Sequence, residues 1–199
     1  MKIAIMGGTF DPIHYGHIKT AEKVMEKLQL DRVLFIPSGS PAHKSAQEVT
    51  EAEIRYEMIK EAIGGYEKFE ISDMEIRREG YTYTYDTLVQ LHETYNPSEI
   101  IYIIGTDVVA ELDTWYKYKE DFKLCKFAVV TRGGYEQDYH NQAIQKMAGL
   151  GADIIPVEVP QIDISSSDIR KRVREGQAIE DMLPPKVIEI IKRENLYND

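Results

Sequence analysis

Cysteine is nearly absent from this chain of 199 residues, which contains only Cys125. A single cysteine forms neither an internal disulfide nor a zinc site built on cysteines, which fits a reducing cytosol. Apolar runs are short as well, and none approaches the roughly 20 residues that cross a bilayer. Residues 2–6 have the pattern of a strand and not of a signal peptide. These absences predict a cytoplasmic protein that makes no membrane contact.

Basic residues are outnumbered by acidic ones. The chain has 24 Lys and Arg against 34 Asp and Glu, which gives a formal net charge of −10. Such a chain repels phosphate backbones at long range, so the composition argues against a protein that binds nucleic acid. It does not exclude a nucleotide pocket, because a few local Lys, Arg and His side chains override the net field.

Short apolar runs alternate with longer amphipathic segments along the whole chain. The runs predict strands at 2–6, 32–36, 68–72, 100–104, 127–131 and 153–157, and the segments between them predict helices at about 16–28, 50–63, 84–95, 106–122, 137–149, 166–174 and 185–194. This order indicates one α/β domain over 1–199, with a mostly parallel sheet covered by helices on both faces. In such sheets ligands bind beyond the carboxyl ends of the strands.

Helix boundaries carry local signals. Thr50 with Glu53 matches a capping box, and Thr84 is placed to cap the third helix. Asn96-Pro97 predicts the end of that helix, and Pro184-Pro185 suits the start of the last one. The longest irregular segment covers 37–49, and a loop of this length favours a binding role.

The first candidate site is Gly7-Gly8-Thr9-Phe10-Asp11-Pro12-Ile13-His14-Tyr15-Gly16-His17, directly after the first strand. A glycine turn between a strand and a helix lets main-chain N–H groups approach an anion, and the helix adds its positive end. His14 and His17 are spaced to share a face of the first turn and to donate to phosphate oxygens. A two-histidine metal site and a pair of surface histidines that cap a helix are the alternatives. The glycine turn favours phosphate binding.

The second candidate site is Ile164-Ser165-Ser166-Ser167-Asp168-Ile169-Arg170. Its hydroxyls offer an N-cap and anion donors, Asp168 can complete a capping box with Ser165, and the fork of Arg170 follows one turn later. Taken alone, this pattern is typical of an ordinary helix N-terminus. A second phosphate cradle elsewhere in the chain favours a binding role.

Together, these two motifs resemble those of the HxGH nucleotidyltransferase superfamily, G-x-F-x-P-x-H-x-G-H and I-S-S-T-x-I-R. Ser167 stands at the usual Thr and keeps the hydroxyl. Within the superfamily the chain is similar, over nearly its full length, to the bacterial enzymes that adenylate nicotinate mononucleotide. Further matches are Pro37 to Lys44, with Ala42 at a usual Pro, Gly80 to Thr87, Gly105-Thr106-Asp107, Trp115-Tyr116 and Thr131-Arg132.

The resemblance implies a Rossmann-like, doubly wound fold. It implies ATP and nicotinate mononucleotide as substrates, and Mg²⁺ that sits on the ATP phosphates without protein side chains as ligands. The implied catalytic residues are His14, His17 and Arg170. The implied ATP-binding residues are Gly8, Thr9, Phe10, His14, His17, Gly105, Asp107, Arg132, Ser165, Ser166 and Arg170.

The resemblance also implies four residues for nicotinate mononucleotide: Lys44, Thr84, Trp115 and Tyr116. Trp115 would stack on the pyridine ring, Thr84 and the backbone at Tyr116 would bind its carboxylate, and Lys44 would bind the phosphate. The alternatives are that Trp115 only packs and that Thr84 is a plain N-cap. The tyrosines Tyr81, Tyr83 and Tyr85 alternate like a strand face and could also simply pack.

Two other functions stay open at this point. One is a related nucleotidyltransferase with another phosphorylated acceptor, such as pantetheine phosphate. The other is a non-catalytic nucleotide sensor on the same fold. The sequence does not fix whether the chain forms a homo-oligomer.

Overall fold

The computed structural model describes residues 1–39, 49–132, 137–160 and 162–198, and for Arg132 and residues 137–140 it describes the backbone alone. The strands of this part of the chain are β1 (Lys2–Gly8), β2 (Arg32–Pro37), β3 (Phe69–Ile71), β4 (Glu99–Gly105), β5 (Lys126–Arg132) and β6 (Ile154–Val159). They form one sheet in the order β3-β2-β1-β4-β5-β6, and every neighbouring pair is parallel. The chain leaves β1 towards one edge and returns beside it as β4. That junction is the topological switch point at which such sheets bind ligands.

The helices connect successive strands and close the C-terminal end. They are α1 (Tyr15–Leu28), α2 (Ala52–Ile63), α3 (Thr84–Tyr95), α4 (Thr106–Val109), α5 (Tyr118–Leu124), α6 (Gln137–Gly149), α7 (Ser166–Arg174) and α8 (Pro185–Arg193), with a 3₁₀ turn at Leu112–Thr114. No helix among the described residues is both long and apolar enough to cross a membrane.

Both faces of the sheet are covered, as the sequence predicts. Ala4 and Met6 of β1 belong to a core cluster with residues of α1, α2 and α8, whereas Ile3 and Ile5 belong to a second cluster with residues of α3, α5 and α6. This split follows from the alternation of side chains along a strand. The prediction of a Rossmann-like, doubly wound α/β fold is therefore confirmed.

The prediction of a single helix over 106–122 is wrong. The structure divides this stretch into α4, the 3₁₀ turn and α5. The Thr114 hydroxyl donates to the carbonyl of Glu111 at 2.7 Å, a local bond that competes with helix continuation. Trp115 is then extended, and Lys117 takes a left-handed conformation at φ 54°. The break leaves Trp115 and Tyr116 in an irregular segment at the carboxyl end of the sheet.

The capping box predicted for Thr50 and Glu53 is also wrong, because α2 begins at Ala52 and its N-cap residue is Glu51, which makes no side-chain capping bond. The Thr50 backbone N–H donates to Asp11 instead, and its hydroxyl bonds to that of Tyr197. Helix α3 begins one residue earlier than a Thr84 cap requires, with Tyr83 at the N-cap position. The stop at Asn96 and the start at Pro184-Pro185 are confirmed.

Candidate functional site

One large cleft of about 1840 Å³ lies at the carboxyl ends of the central strands. Its walls include most of the predicted site residues that the structure describes: Gly8, Thr9, His14, His17, Thr84, Gly105, Asp107, Trp115, Tyr116, Ser165 and Ser166. The parallel sheet brings these residues together, because the carboxyl ends of all its strands lie at one edge. Segments that are about 150 residues apart in sequence therefore share one cleft.

The two histidines lie side by side where α1 begins. His14 is the N-cap residue, His17 lies in the first turn, and their ring centroids are 3.8 Å apart with planes 27° from parallel. A Cβ at Gly16 would come within 2.8 Å of the His14 ring. The glycine is needed here because the His14 imidazole folds back over it.

His17 is a neutral hydrogen-bond donor in this arrangement. Burial and the neighbouring His14 lower the pKa of His17 well below its ordinary value of 6.5. The backbone N–H of His14 donates to His17 Nδ1 at 3.3 Å, so Nδ1 is the acceptor and the ring proton resides on Nε2. A neutral imidazole with a fixed tautomer presents one N–H without the need to take up a proton first.

Phe10 supports the histidines from the core. Its side chain is 3% exposed and meets the His17 ring edge-on at 5.0 Å between centroids. Its backbone takes a left-handed conformation at φ 50°, which turns the chain after Thr9. Phe10 can therefore contribute only its backbone to a nucleotide contact.

The second motif contacts the first directly. Ser165 is the N-cap of α7, and its hydroxyl accepts from the backbone N–H of Asp168 at 3.1 Å. The Ser166 hydroxyl donates to the carbonyl of Pro12 at 2.9 Å. The Asp168 carboxylate bonds to Arg172. The N-terminus of α7 thus faces the same cleft as the histidines.

Arg170 has a different environment from the one that the sequence suggests. Its Nη1 donates to the carbonyl of Asp11 at 2.7 Å, and its Nη2 donates to the Ser167 hydroxyl at 3.3 Å. The cleft is lined by Ser165 and Ser166 rather than by this side chain. In this structure the guanidinium therefore supports the histidine-bearing turn through the carbonyl of Asp11. A direct contact between Arg170 and phosphate stays a prediction.

Gly105 and Asp107 mark the end of β4. The Asp107 carboxylate folds back so far that a Cβ at Gly105 would overlap its Oδ1. The backbone of Arg132 ends β5 opposite Val159, and its side chain lies outside the described residues. Lys44 also lies outside the described residues.

Aromatic side chains form a second wall of the cleft. Trp115 lines the cleft and meets Tyr102 edge-on at 5.9 Å. Tyr116 is 49% exposed, and its ring lies 4.6 Å from that of Tyr83. Lys117 Nζ lies 4.1 Å from the centroid of Tyr85. Tyr83 is also exposed, whereas Trp115 and Tyr102 are partly buried against the second core cluster.

Three polar groups of the cleft were not singled out from the sequence. Glu75 lines it and accepts from the Thr87 hydroxyl at 2.7 Å, and burial raises the pKa of Glu75 to about 7. The hydroxyl oxygens of Ser38 and Thr82 are buried, without a partner among the described residues. All three lie in irregular segments, where the sequence offers no periodicity to indicate which side chains point inward.

Within the part of the chain that the structure describes, no group of three or more His, Cys, Asp or Glu side chains is placed to hold a metal ion. The oxygen ligands that Mg²⁺ prefers would then include those of a bound triphosphate. Magnesium on the ATP phosphates stays a prediction.

Comparison with known proteins first defines the class. A family model described as cytidylyltransferase-like matches residues 5–172. That range contains both motifs, the second half of β1 and the other five strands of the sheet. Fold, cleft and match together define a nucleotidyltransferase of the cytidylyltransferase-like family.

Individual relatives identify the family more specifically than the family model does. The chain is 42% identical to a probable nicotinate-nucleotide adenylyltransferase of Clostridium acetobutylicum, with 98% of each chain covered. It is also 42% identical to one from Thermoanaerobacter, with 99% of this chain and 94% of that protein covered. The chain belongs to the nicotinate-nucleotide adenylyltransferase family.

A solved structure shares the fold. Nicotinic acid mononucleotide adenylyltransferase of Plasmodium falciparum, complexed with NaAD, superposes with a TM-score of 0.80 at 23% identity and covers 99% of this chain and 97% of its own. At that identity the likeness concerns the fold alone.

Proposed function

We propose that this protein transfers AMP from ATP to nicotinate mononucleotide and forms deamido-NAD and pyrophosphate, a step of NAD biosynthesis that we place in the cytoplasm. The observation that carries the proposal is the pairing of two unlike walls in one cleft. The stacked histidines and the N-terminus of α7 form one wall, and Trp115 with Tyr116 forms the other. The first suits a triphosphate and the second suits a flat ring.

The chemistry needs donors rather than a base. An oxygen of the acceptor phosphate attacks the α-phosphorus in line, the new O–P bond forms, and the bond to the β-phosphate oxygen breaks. The acceptor oxygen is already an anion, so no proton has to be removed. Catalysis then consists of positioning and of neutralising charge on the transferring group. His17 Nε2–H is the donor that we assign to the α-phosphoryl oxygens.

The remaining nucleotide contacts follow from the same wall. Gly8, Thr9, Ser165 and Ser166 line the space that we assign to the phosphates. Of the two serine hydroxyls, that of Ser165 is the donor, because that of Ser166 donates to the carbonyl of Pro12. Bound Mg²⁺ would neutralise part of their charge. Asp107, just beyond a strand end, is placed to accept from ribose hydroxyls. The α7 N-terminus adds a positive field for the leaving pyrophosphate.

The aromatic wall suits the pyridine end of the acceptor. Trp115 offers a face, and stacking of a base on an aromatic side chain contributes about 1–3 kcal/mol in nucleic-acid complexes. The N-cap residue Tyr83 makes no side-chain capping bond to α3, and the first N–H groups of a helix have no partner within it, so a ligand near Thr84 could accept from them. A carboxylate is the group that such a helix start favours.

A screen of acceptors with ATP tests the proposal. Pyrophosphate release is measured with nicotinate mononucleotide, its amide, pantetheine phosphate and a polyol phosphate. We expect release with nicotinate mononucleotide and deamido-NAD in equal amount. Release only with pantetheine phosphate or a polyol phosphate would identify another transferase, and ATP binding without release would indicate a sensor.

A further inference from the structure

Arg55 is a buried cation that the proposed reaction does not use. It lies in the first turn of α2 and is only 1% exposed, and it is among the largest fully buried side chains described. Burial lowers the pKa of Arg55, and the nearby Asp11 opposes that shift. Burying a cation is costly unless hydrogen bonds compensate for the lost water. An apolar side chain would fill this space at lower cost, so the guanidinium requires another explanation.

The guanidinium joins three separate segments. Nη1 donates to the carbonyl of Thr9 at 2.7 Å, Nη2 donates to that of Ser38 at 2.7 Å, and Nε donates to that of Thr50 at 2.8 Å. Its planar fork fixes the direction of these bonds, which a lysine ammonium cannot do. Each acceptor is a main-chain group, so the contact fixes the path of the backbone.

Two of these segments line the cleft. Thr9 belongs to the glycine turn, and Ser38 is the first residue after β2. In a trans peptide the C=O and the next N–H point in opposite directions. The bond to the Thr9 carbonyl therefore turns the N–H of Phe10 away from Arg55. In the same way, the bond to the Ser38 carbonyl turns the N–H of Gly39 away from Arg55.

The network continues on two sides of Arg55. The Thr50 N–H donates to Asp11 Oδ2 at 3.2 Å, and the Tyr197 hydroxyl donates to Asp11 Oδ1 at 2.5 Å. On the other side, a Cβ at Gly39 would overlap the carbonyl oxygen of Glu75, so the two backbones are in close contact. Arg55 thus lies where the histidine-bearing turn meets the chain that leads to α3.

We propose that Arg55 is a positioning residue for AMP transfer. It aligns the phosphate-binding turn at Thr9 with the segment Ser38-Gly39 that follows β2. This inference rests on the proposed function for its effect on rate. Arg55 is not among the residues that line the cleft, so it acts through the peptides that it orients. A misplacement of about 1 Å at a distance from the chemistry can cost about 100-fold in rate.

The test compares Arg55→Lys and Arg55→Ala with the unaltered protein. The control is Arg193→Met, which removes a contact between α8 and Glu57 on the outer face of the same helix α2. We expect kcat to fall about 10- to 100-fold in Arg55→Lys. The KM for nicotinate mononucleotide should stay within about twofold, since the stacking wall is intact. The control should keep its kcat.

Rescue separates positioning from loss of structure. Guanidinium chloride at millimolar concentration should raise kcat of Arg55→Ala, and methylammonium chloride at equal ionic strength should not. If Arg55→Ala does not fold, the Lys variant decides the question by its kcat per folded molecule, measured beside circular dichroism and Tm. Unchanged kcat in a folded Lys variant, or a loss that equals the unfolded fraction, would overturn the proposal.

A second readout is independent of the acceptor. Calorimetry with a non-hydrolysable ATP analogue measures the phosphate-binding turn without any reaction. We expect weaker binding to Arg55→Lys and unchanged binding to Arg193→Met. If the unaltered protein adenylates no acceptor, the proposed function is wrong. The titration would still show whether Arg55 positions the phosphate-binding turn. Equal affinity in both variants would contradict its role at the turn.

Discussion

The phosphate half of the cleft, formed by residues 7–17 and 165–170, contrasts with the aromatic half, formed by residues 81–85 and 115–117. His14 is 6% exposed, and its turn is held by bonds from Arg55, Arg170 and Ser166. Tyr116 is 49% exposed, and its ring contacts those of Tyr83, which is also exposed, and Tyr85. Side chains from distant segments fix the backbone of the first half by hydrogen bonds, whereas the second half combines local turn bonds with contacts between rings.

This difference suggests a division of roles. Donors that are fixed before the substrate arrives cost no reorganisation during the reaction, which is what charge stabilisation requires. Exposed aromatic rings gain the most when a flat ligand covers them. We therefore expect the phosphate half to set the rate and the aromatic half to select the acceptor.

The largest effect is expected for His17→Ala. Its Nε2–H is assigned to charge that develops in the transition state, so its loss should lower kcat about 100- to 1000-fold and change substrate KM little. Steady-state kinetics on folded protein measures this. His17→Gln retains an N–H near the same position and should recover part of the rate. A near-normal kcat in His17→Ala would refute the assignment.

A smaller effect is expected for Arg170→Ala. The side chain bonds to the carbonyl of Asp11, so its removal should loosen the turn that holds the ATP phosphates. We expect the KM for ATP to rise about tenfold, in the range of a lost charge-assisted bond. Arg174→Ala, an exposed neighbour on α7, is the matched control. A change confined to the KM for the mononucleotide would place Arg170 in the other half.

The smallest effect concerns α5, the helix that follows the aromatic half in the chain. Asp121 of α5 is 1% exposed, and both of its carboxylate oxygens are buried without a partner among the described residues. Burial, with Asp86 and Glu120 nearby, raises the pKa of Asp121 from 3.8 to about 7. The folded state thus holds this proton more tightly than the unfolded chain. Its contribution is fully present below pH 3.8 and is lost as the pH rises towards 7.

We therefore expect the free energy of unfolding to fall as the pH rises from about 5 to about 8. The fall should be about 1–3 kcal/mol larger in the unaltered protein than in Asp121→Asn. Urea unfolding at several pH values measures both slopes. Glu93→Gln, an exposed residue of α3 whose charge is not among those that raise the pKa of Asp121, should keep the slope of the unaltered protein. Parallel curves for the unaltered protein and Asp121→Asn would show that Asp121 does not titrate in this range.

The sequence predicted the phosphate half better than the aromatic half. Strand β1 and the glycine turn are recognisable from local sequence patterns. A parallel sheet also brings the carboxyl ends of its strands together regardless of the conformation of the loops. The order of strands and helices was therefore enough to place the motif at Ser165 in the same cleft. The break at Trp115 was missed, because the left-handed Lys117 has no local signal of its own.

Arg55 could not be predicted either. On its own helix it resembles a solvated charge, and its three acceptors come from segments as far as 46 residues away. Thr50 was misread for a related reason: Asp11 and Tyr197 compete for its polar groups from distant parts of the chain. Contacts of this kind depend on the assembled sheet and leave no periodic trace.

The division of roles is tested most directly by the acceptor preference of the unaltered protein and of His17→Ala. The preference is the ratio of kcat/KM for nicotinate mononucleotide to kcat/KM for its amide. Each main-chain donor left unpaired by the amide costs about 1–3 kcal/mol, or roughly five- to 150-fold, so the unaltered protein should prefer the carboxylate. In His17→Ala both rates should fall together and the ratio should not change. A ratio near one in the unaltered protein, or a ratio that collapses with the loss of His17, would contradict the account.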